Sequence, residues 1–162
     1  MKNKKRELSH ISEKNLPRMV DVSEKSKTHR TAISAAKIHL GEELAQILKK
    51  TKSTKKGPVL QTAVIAGIQG AKKTSELIPM CHPLTLDNVE IEINIKGEYA
   101  IVIATVKTED RTGVEMESLT AVSISALTIY DMGKSINKSI KIESIKLIAK
   151  KGGKSGNFLQ NI

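Results

Sequence analysis

The sequence predicts an α+β fold, with an antiparallel sheet that carries its helices on one face. Three observations lead there. DNVEIEINIK (residues 87–96) alternates cleanly: Val89, Ile91, Ile93 and Ile95 point one way, Glu90, Glu92 and Asn94 the other. Gly97-Glu98 then turns it into a second strand, YAIVIATVKT (residues 99–108), so the pair is a hairpin. Two further segments, residues 59–77 and 114–134, are long enough for helices. The order strand, helix, helix, hairpin, helix, strand is best satisfied by one sheet covered on one side.

The elements follow in turn. RTAISAAKIHL (residues 30–40) alternates well enough to be a strand. GEELAQILKK (residues 41–50) is helical, with Glu42 and Glu43 in its first turn and Lys49 and Lys50 in its last, matching the helix dipole. TKSTKKGP is a basic loop. VLQTAVIAGIQGAKKTSEL (residues 59–77) is a helix despite its β-branched residues and glycines. Its Ala63, Ala66, Gly67, Gly70, Ala71 and Thr74 recur every three or four positions, a flat face that lets another element come close. After the hairpin and the loop EDRTG, VEMESLTAVSISALTIYDMGK (residues 114–134) is the second long helix. KSIKIESIKLIAKK (residues 138–151) closes the chain as a strand, followed by the glycine-rich tail GGKSGNF.

A length of 162 residues gives one domain with a sizeable core. Aromatics are 2% of the chain, so that core must be made of Ile, Leu, Val and Ala. Residues 1–18 are expected to form a basic, disordered tail, and residues 19–162 a single domain. No apolar run is long enough to span a bilayer, and one cysteine cannot form an internal disulfide, so a soluble, cytoplasmic setting is expected. A formal charge of +10 implies anionic company, and nucleic acid, nucleotides and bare solubility all stay open as its purpose. Nucleic-acid stacking platforms need exposed aromatics, which this chain nearly lacks; charge alone gives only sequence-blind binding.

LIPMCHPL (residues 77–84) sets Cys81 beside His82 between two prolines. Two readings stand. In one, a buried turn has its imidazole satisfied by a backbone carbonyl. In the other, Pro79 and Pro83 stiffen a loop that holds the imidazole against a ligand. Adjacent Cys and His do not have the spacing of zinc ligands, and no metal site is expected. GGKS imitates the end of a phosphate loop but lacks the earlier glycine, with Ile148 in its place, and the following helix. The NH groups of Gly152 and Gly153 beside Lys154 can still hold an oxyanion.

Glu115 and Glu117 suit the positive end of the second long helix, and Asp131 and Lys134 share a face at its other end. Glu117 and Asp131 are fourteen positions apart, about 21 Å on a straight helix. One small-molecule pocket does not easily span that within one chain. An antiparallel copy of the helix across a two-fold axis brings the start of one to the end of the other.

MVDVSEK, Lys56-Gly57, AGIQGAKKTSELIPMCHPL, TGVEMESLTAVSISALTIYDMGK and GGKSG together resemble the molybdenum cofactor biosynthesis protein C (MoaC) family, the cyclic pyranopterin monophosphate synthases. They run in family order from about Met19 to Gly156. The resemblance implies a ferredoxin-like subunit and a homohexamer built as a trimer of dimers, with active sites at subunit boundaries. It implies a reaction in which a GTP already cyclised between ribose and base becomes cyclic pyranopterin monophosphate, with release of pyrophosphate. No redox cofactor is implied; Mg²⁺ carried with the triphosphate stays open, and no nucleic-acid or membrane partner is implied.

By the same resemblance Asp131, Lys134 and Lys56 take the catalytic positions. Met80, Cys81 and His82 take one substrate-binding segment and Glu115, Met116 and Glu117 the other. Arg30 matches a phosphate-contacting arginine, and Lys154 adds a cation. Two positions depart from the family: Pro58 and Asn157 each stand where an aspartate is usual.

Overall fold

The computed structural model describes residues 16–153 and 156–161. Its elements are β1 (Thr28–His39), α1 (Glu42–Thr51), α2 (Val59–Lys72), α3 (Thr74–Leu77), β2 (Asn88–Lys96), β3 (Tyr99–Asp110), α4 (Glu115–Gly133), β4 (Lys141–Lys151) and β5 (Phe158–Leu159). The sheet runs β2-β3-β1-β4-β5, and every pairing is antiparallel. With β5 set aside and α1 to α3 taken as one helical connection, the order becomes β-α-β-β-α-β, and with this strand arrangement it is the ferredoxin-like plan.

The alternation read from the sequence sets which face is covered. Ile91 is buried, and Val89, Ile93 and Ile95 pack against the core, as do Ala100, Val102 and Ala104 of β3 and Ala36 and Ile38 of β1. Gly97 makes the hairpin turn with φ 56, a backbone angle that side chains rarely accept. On the opposite face Ala35, Ile101 and Ile103 lie between Lys37, Lys96 and Lys146 in a shallow groove of about 460 Å³. The largest fully buried side chains are Ile, Leu, Val and Thr, with no aromatic among them.

The small-residue face of α2 packs on α4. A methyl added at Gly67 would collide with Ser125 and Ile91, and one at Gly70 would come 2.7 Å from Ile124. Ser125 Oγ donates to the Ala63 carbonyl at 2.9 Å, so the close approach also satisfies a buried hydroxyl. Through this contact α4 lies fixed across the sheet, and its two ends become the two places where the candidate site residues gather.

Two details differ from the sequence reading. The helix expected over residues 59–77 breaks at Lys73, whose φ of −103 and ψ of 10 leave the helical range, giving α2 and the one-turn α3. Thr74 is buried at the break, and its hydroxyl bonds back to the Ala71 carbonyl at 2.9 Å, competing with the backbone ladder. The glycine-rich tail contains a short strand, β5, paired to the outer edge of β4. The tail expected over residues 1–18 falls, up to residue 15, outside the described residues, as does Lys154.

Candidate active site

One group of side chains forms at the C-terminal end of α4. That end leaves carbonyl groups without helical partners, and α4 has no basic residue in its own last turn. Lys134, at the C-cap, and Lys56, from a loop, supply the missing cations. A tight turn presents Lys56: Thr54 and Gly57 exchange both backbone hydrogen bonds, at 3.0 and 2.9 Å, and Lys56 N donates to Thr54 Oγ1. Lys56 Nζ donates to the Asp131 carbonyl at 2.7 Å and to the Asp131 carboxylate at 3.3 Å. Lys134 Nζ reaches the other carboxylate oxygen at 2.7 Å.

Asp131 is therefore clamped between two cations. Hydrogen bonds from Lys134 and then Lys56 hold its carboxyl below the ordinary carboxylate range, and Asp131 in turn raises the pKa of Lys134. All three side chains are substantially exposed. In the single chain, Lys134 is thus a firmly protonated, solvated lysine rather than the desolvated acid–base group that neutral-pH catalysis favours. Lys56, Tyr130, Lys134, Ser135 and Lys138 line a shallow hollow there.

The second group lies at the N-terminal end of α4. Ile78–Cys81 is a turn closed by Cys81 N donating to the Ile78 carbonyl at 3.0 Å, with Pro79 at the position whose fixed φ suits it. The turn delivers Met80, Cys81 and His82 to a cleft of about 380 Å³, which Glu115, Met116 and Glu117 also line. Glu117 is only 4% exposed, and burial raises its carboxyl from 4.5 to about 7, with the nearby Glu115 charge adding to the effect. Burial likewise pushes the Cys81 thiol up, so it sits there as a packing group rather than an activated nucleophile. Lys150 pairs with Glu115 at 3.1 Å. The imidazole of His82 bonds to the Val20 carbonyl at 2.8 Å. A backbone partner and a cleft-lining position are both present at that one residue.

An adjoining cleft of about 630 Å³ shares Lys25, Thr112, Gly113 and Glu115 and brings in Arg30 and Arg111. Arg30 Nε donates to the Asp110 carbonyl at 2.9 Å and Nη2 to the Arg111 carbonyl at 3.0 Å, which fixes the guanidinium plane. Gly153 packs directly on that guanidinium with φ 79, and a side chain there would strike it. Reading the sequence alone missed Lys25, Arg111 and Thr112. The signal for Lys25 lay in MVDVSEK, a family-like stretch to which no role was attached.

The two departures from the family pattern have local accounts. Pro58 stands at the N-cap of α2 with no side-chain cap; its carbonyl takes Thr62 N at 3.0 Å and Thr62 Oγ1 at 2.7 Å. Asn157 Oδ1 accepts from Gly152 N at 3.4 Å, a bond an aspartate oxygen could equally make. Among the described residues no three His, Cys, Asp or Glu side chains converge as metal ligands, and no helix is long and apolar enough to cross a membrane.

Fold and geometry together define a ferredoxin-like α+β chain with a lysine-clamped aspartate at one end of its central helix and a cleft joined to a cation-walled one at the other. The MoaC family model matches residues 19–153, and the chain belongs to the MoaC family. Its curated relatives include proteins named cyclic pyranopterin monophosphate synthase from Campylobacter jejuni (strain RM1221), 55% identical over 95% of this chain and 99% of the relative, and from Campylobacter lari, 53% identical over the same shares. One from Helicobacter pylori (strain ATCC 700392 / 26695), with the same name, is 51% identical over 93% of this chain and 96% of its own length.

Proposed function

We propose that the chain is a cyclic pyranopterin monophosphate synthase, acting in molybdenum cofactor biosynthesis. It rearranges a GTP already cyclised between ribose and base, closing the cyclic phosphate and expelling pyrophosphate. The observation that carries this reading is the carboxylate of Asp131 held at 2.7 Å by Lys134 and 3.3 Å by Lys56, within a family match that covers both ends of α4.

Asp131 orients the two ammonium groups. They stabilise negative charge as it moves onto the departing pyrophosphate, and one of them exchanges protons with the rearranging ring. That second task needs a lysine shielded from water, and the solvated geometry of the single chain supports the view that cover comes from elsewhere. A two-fold partner would place the His82–Glu117 cleft of one protomer over the Asp131 end of the other, turning two half-sites into one. The assembly proposed is a homohexamer, a trimer of such dimers, working in the cytoplasm. The protein brings no redox cofactor to the reaction; Mg²⁺ would enter with the triphosphate.

Incubation with the cyclised GTP should release pyrophosphate and yield a product that becomes a fluorescent pterin on oxidation. Absence of both above a protein-free blank would overturn the assignment.

A further inference from the structure

MVDVSEK (residues 19–25) has no part in the chemistry proposed above, yet it lies against the substrate cleft. It forms no helix or strand. Its shape is held by Asp21, whose carboxylate accepts from Ser23 N at 2.9 Å and Ser23 Oγ at 2.7 Å, and by a turn in which Lys25 N donates to the Val22 carbonyl at 3.0 Å. Folded in this way, the stretch contributes Val20, Val22 and Lys25 to the lining of the cleft that also holds Met80, Cys81 and His82. It meets His82 at one hydrogen bond, the 2.8 Å bond between Nε2 and the Val20 carbonyl, across 62 positions of sequence, and the Asp21 carboxylate also interacts electrostatically with the imidazole.

A backbone carbonyl can only accept, so His82 Nε2 must carry the hydrogen. In the neutral imidazole the lone pair is then on Nδ1, and Nδ1 is the one nitrogen free to take up or return a proton. Resting on the reading of this cleft as a substrate site, we propose that residues 19–25 are a positioning strap. The Val20 carbonyl fixes His82 as the Nε2–H form, so that neutral His82 recognises an N–H or O–H of the ligand's base or sugar and not its phosphates. Phosphate oxygens only accept, and in its neutral form an imidazole whose single hydrogen is engaged by Val20 has none to offer them. The triphosphate instead belongs with Arg30, Arg111 and Lys25 in the adjoining cleft, where three cations gather.

Histidine-selective ¹⁵N labelling and long-range ¹H–¹⁵N correlation at about pH 8 read this directly, because the two neutral tautomers have distinct nitrogen shifts. The resonances of His82 are the pair lost in His82→Gln. The intact chain should show protonated Nε2 and bare Nδ1; the Nδ1–H form there overturns the proposal whatever the variants do. Removing residues 2–15 should leave the pattern intact. Removing residues 2–21, with folding checked by circular dichroism, should mix the two tautomers; an unchanged tautomer in a folded chain counts against the strap. Guanosine should shift Nδ1, and inorganic tripolyphosphate should not. A shift with tripolyphosphate, or none with guanosine at saturation, refutes the ligand assignment. Pyrophosphate release by the intact chain tests the underlying enzymatic reading separately, since the tautomer is read without turnover.

Discussion

Replacing Glu117 by glutamine should change how stability depends on pH, because this carboxyl is 4% exposed and titrates near 7 rather than 4.5. A carboxyl whose pKa rises on folding binds its proton more tightly in the native state than in the unfolded chain. Its contribution is fully present below 4.5, falls as pH rises toward 7, and is gone above that. Each pH unit of that separation is worth about 1.4 kcal/mol, which sets a ceiling of about 3.5 kcal/mol on the stability lost by the wild-type chain across the window. Glutamine keeps the shape and has nothing to titrate. Urea unfolding of both proteins from roughly pH 4 to 9, at one fixed protomer concentration, should show the wild type losing up to this amount relative to Glu117→Gln. Parallel profiles would refute the reasoning. A relative gain by the wild type as pH rises would show that Glu117 is ionised and held by a cation instead.

The remaining expectations use other parts of the structure. Asp131 should titrate below its ordinary 3.8, because Lys134 and Lys56 donate to it, and Lys134→Ala should raise that value; side-chain carbon shifts against pH check it, and no upward movement argues against the clamp. Leu48→Ala empties a fully buried position of α1 and should cost about 2–5 kcal/mol in chemical denaturation, whereas a loss under 1 kcal/mol contradicts the core as described. Gly67→Ala pushes a methyl against Ser125 and Ile91 and to 2.9 Å from the Ala121 carbonyl, and about 1–3 kcal/mol should be lost; unchanged stability would mean that α2 and α4 are not so close. Lys25→Ala should raise KM for the triphosphate substrate several-fold, with smaller effect on kcat. Equal KM values remove Lys25 from the binding site.

Much of this molecule was legible in its sequence, for reasons that differ from element to element. The hairpin was readable because a side chain's face depends only on the parity of its position, and Val89 to Ile95 keep that parity without interruption. That α2 takes a close neighbour was readable because small residues at helical spacing have few other uses; that the neighbour is α4 was not. The break at Lys73 was not, since it turns on Thr74 being buried by neighbours from elsewhere in the fold. Strand β5 was hidden for the same reason: two residues pair there only because the edge of β4 is available.

The candidate site divides along the same line. Asp131 and Lys134 are three apart on one helix, so their pairing was visible. Lys56 reaches Asp131 across 75 positions and needs the Thr54–Gly57 turn to do so; only family likeness pointed to it. The bond from His82 to Val20 was anticipated in kind, as an imidazole satisfied by a carbonyl, but its partner was not identifiable. Main-chain acceptors are the same at every residue and leave no mark in a sequence. The single chain holds Lys134 exposed and, through its pair with Asp131, more basic than usual.

The central claim is that the two ends of α4 belong to one site completed by a second protomer, and mixing two crippled chains tests it most directly. Asp131→Ala and His82→Ala should each be inactive alone. Co-expressed in equal amounts and randomly paired, they should recover about a quarter of wild-type pyrophosphate release, because half the two-fold pairs then contain one intact site out of two. A mixture no more active than its components, with hetero-pairs shown to form, would place each complete site within a single chain.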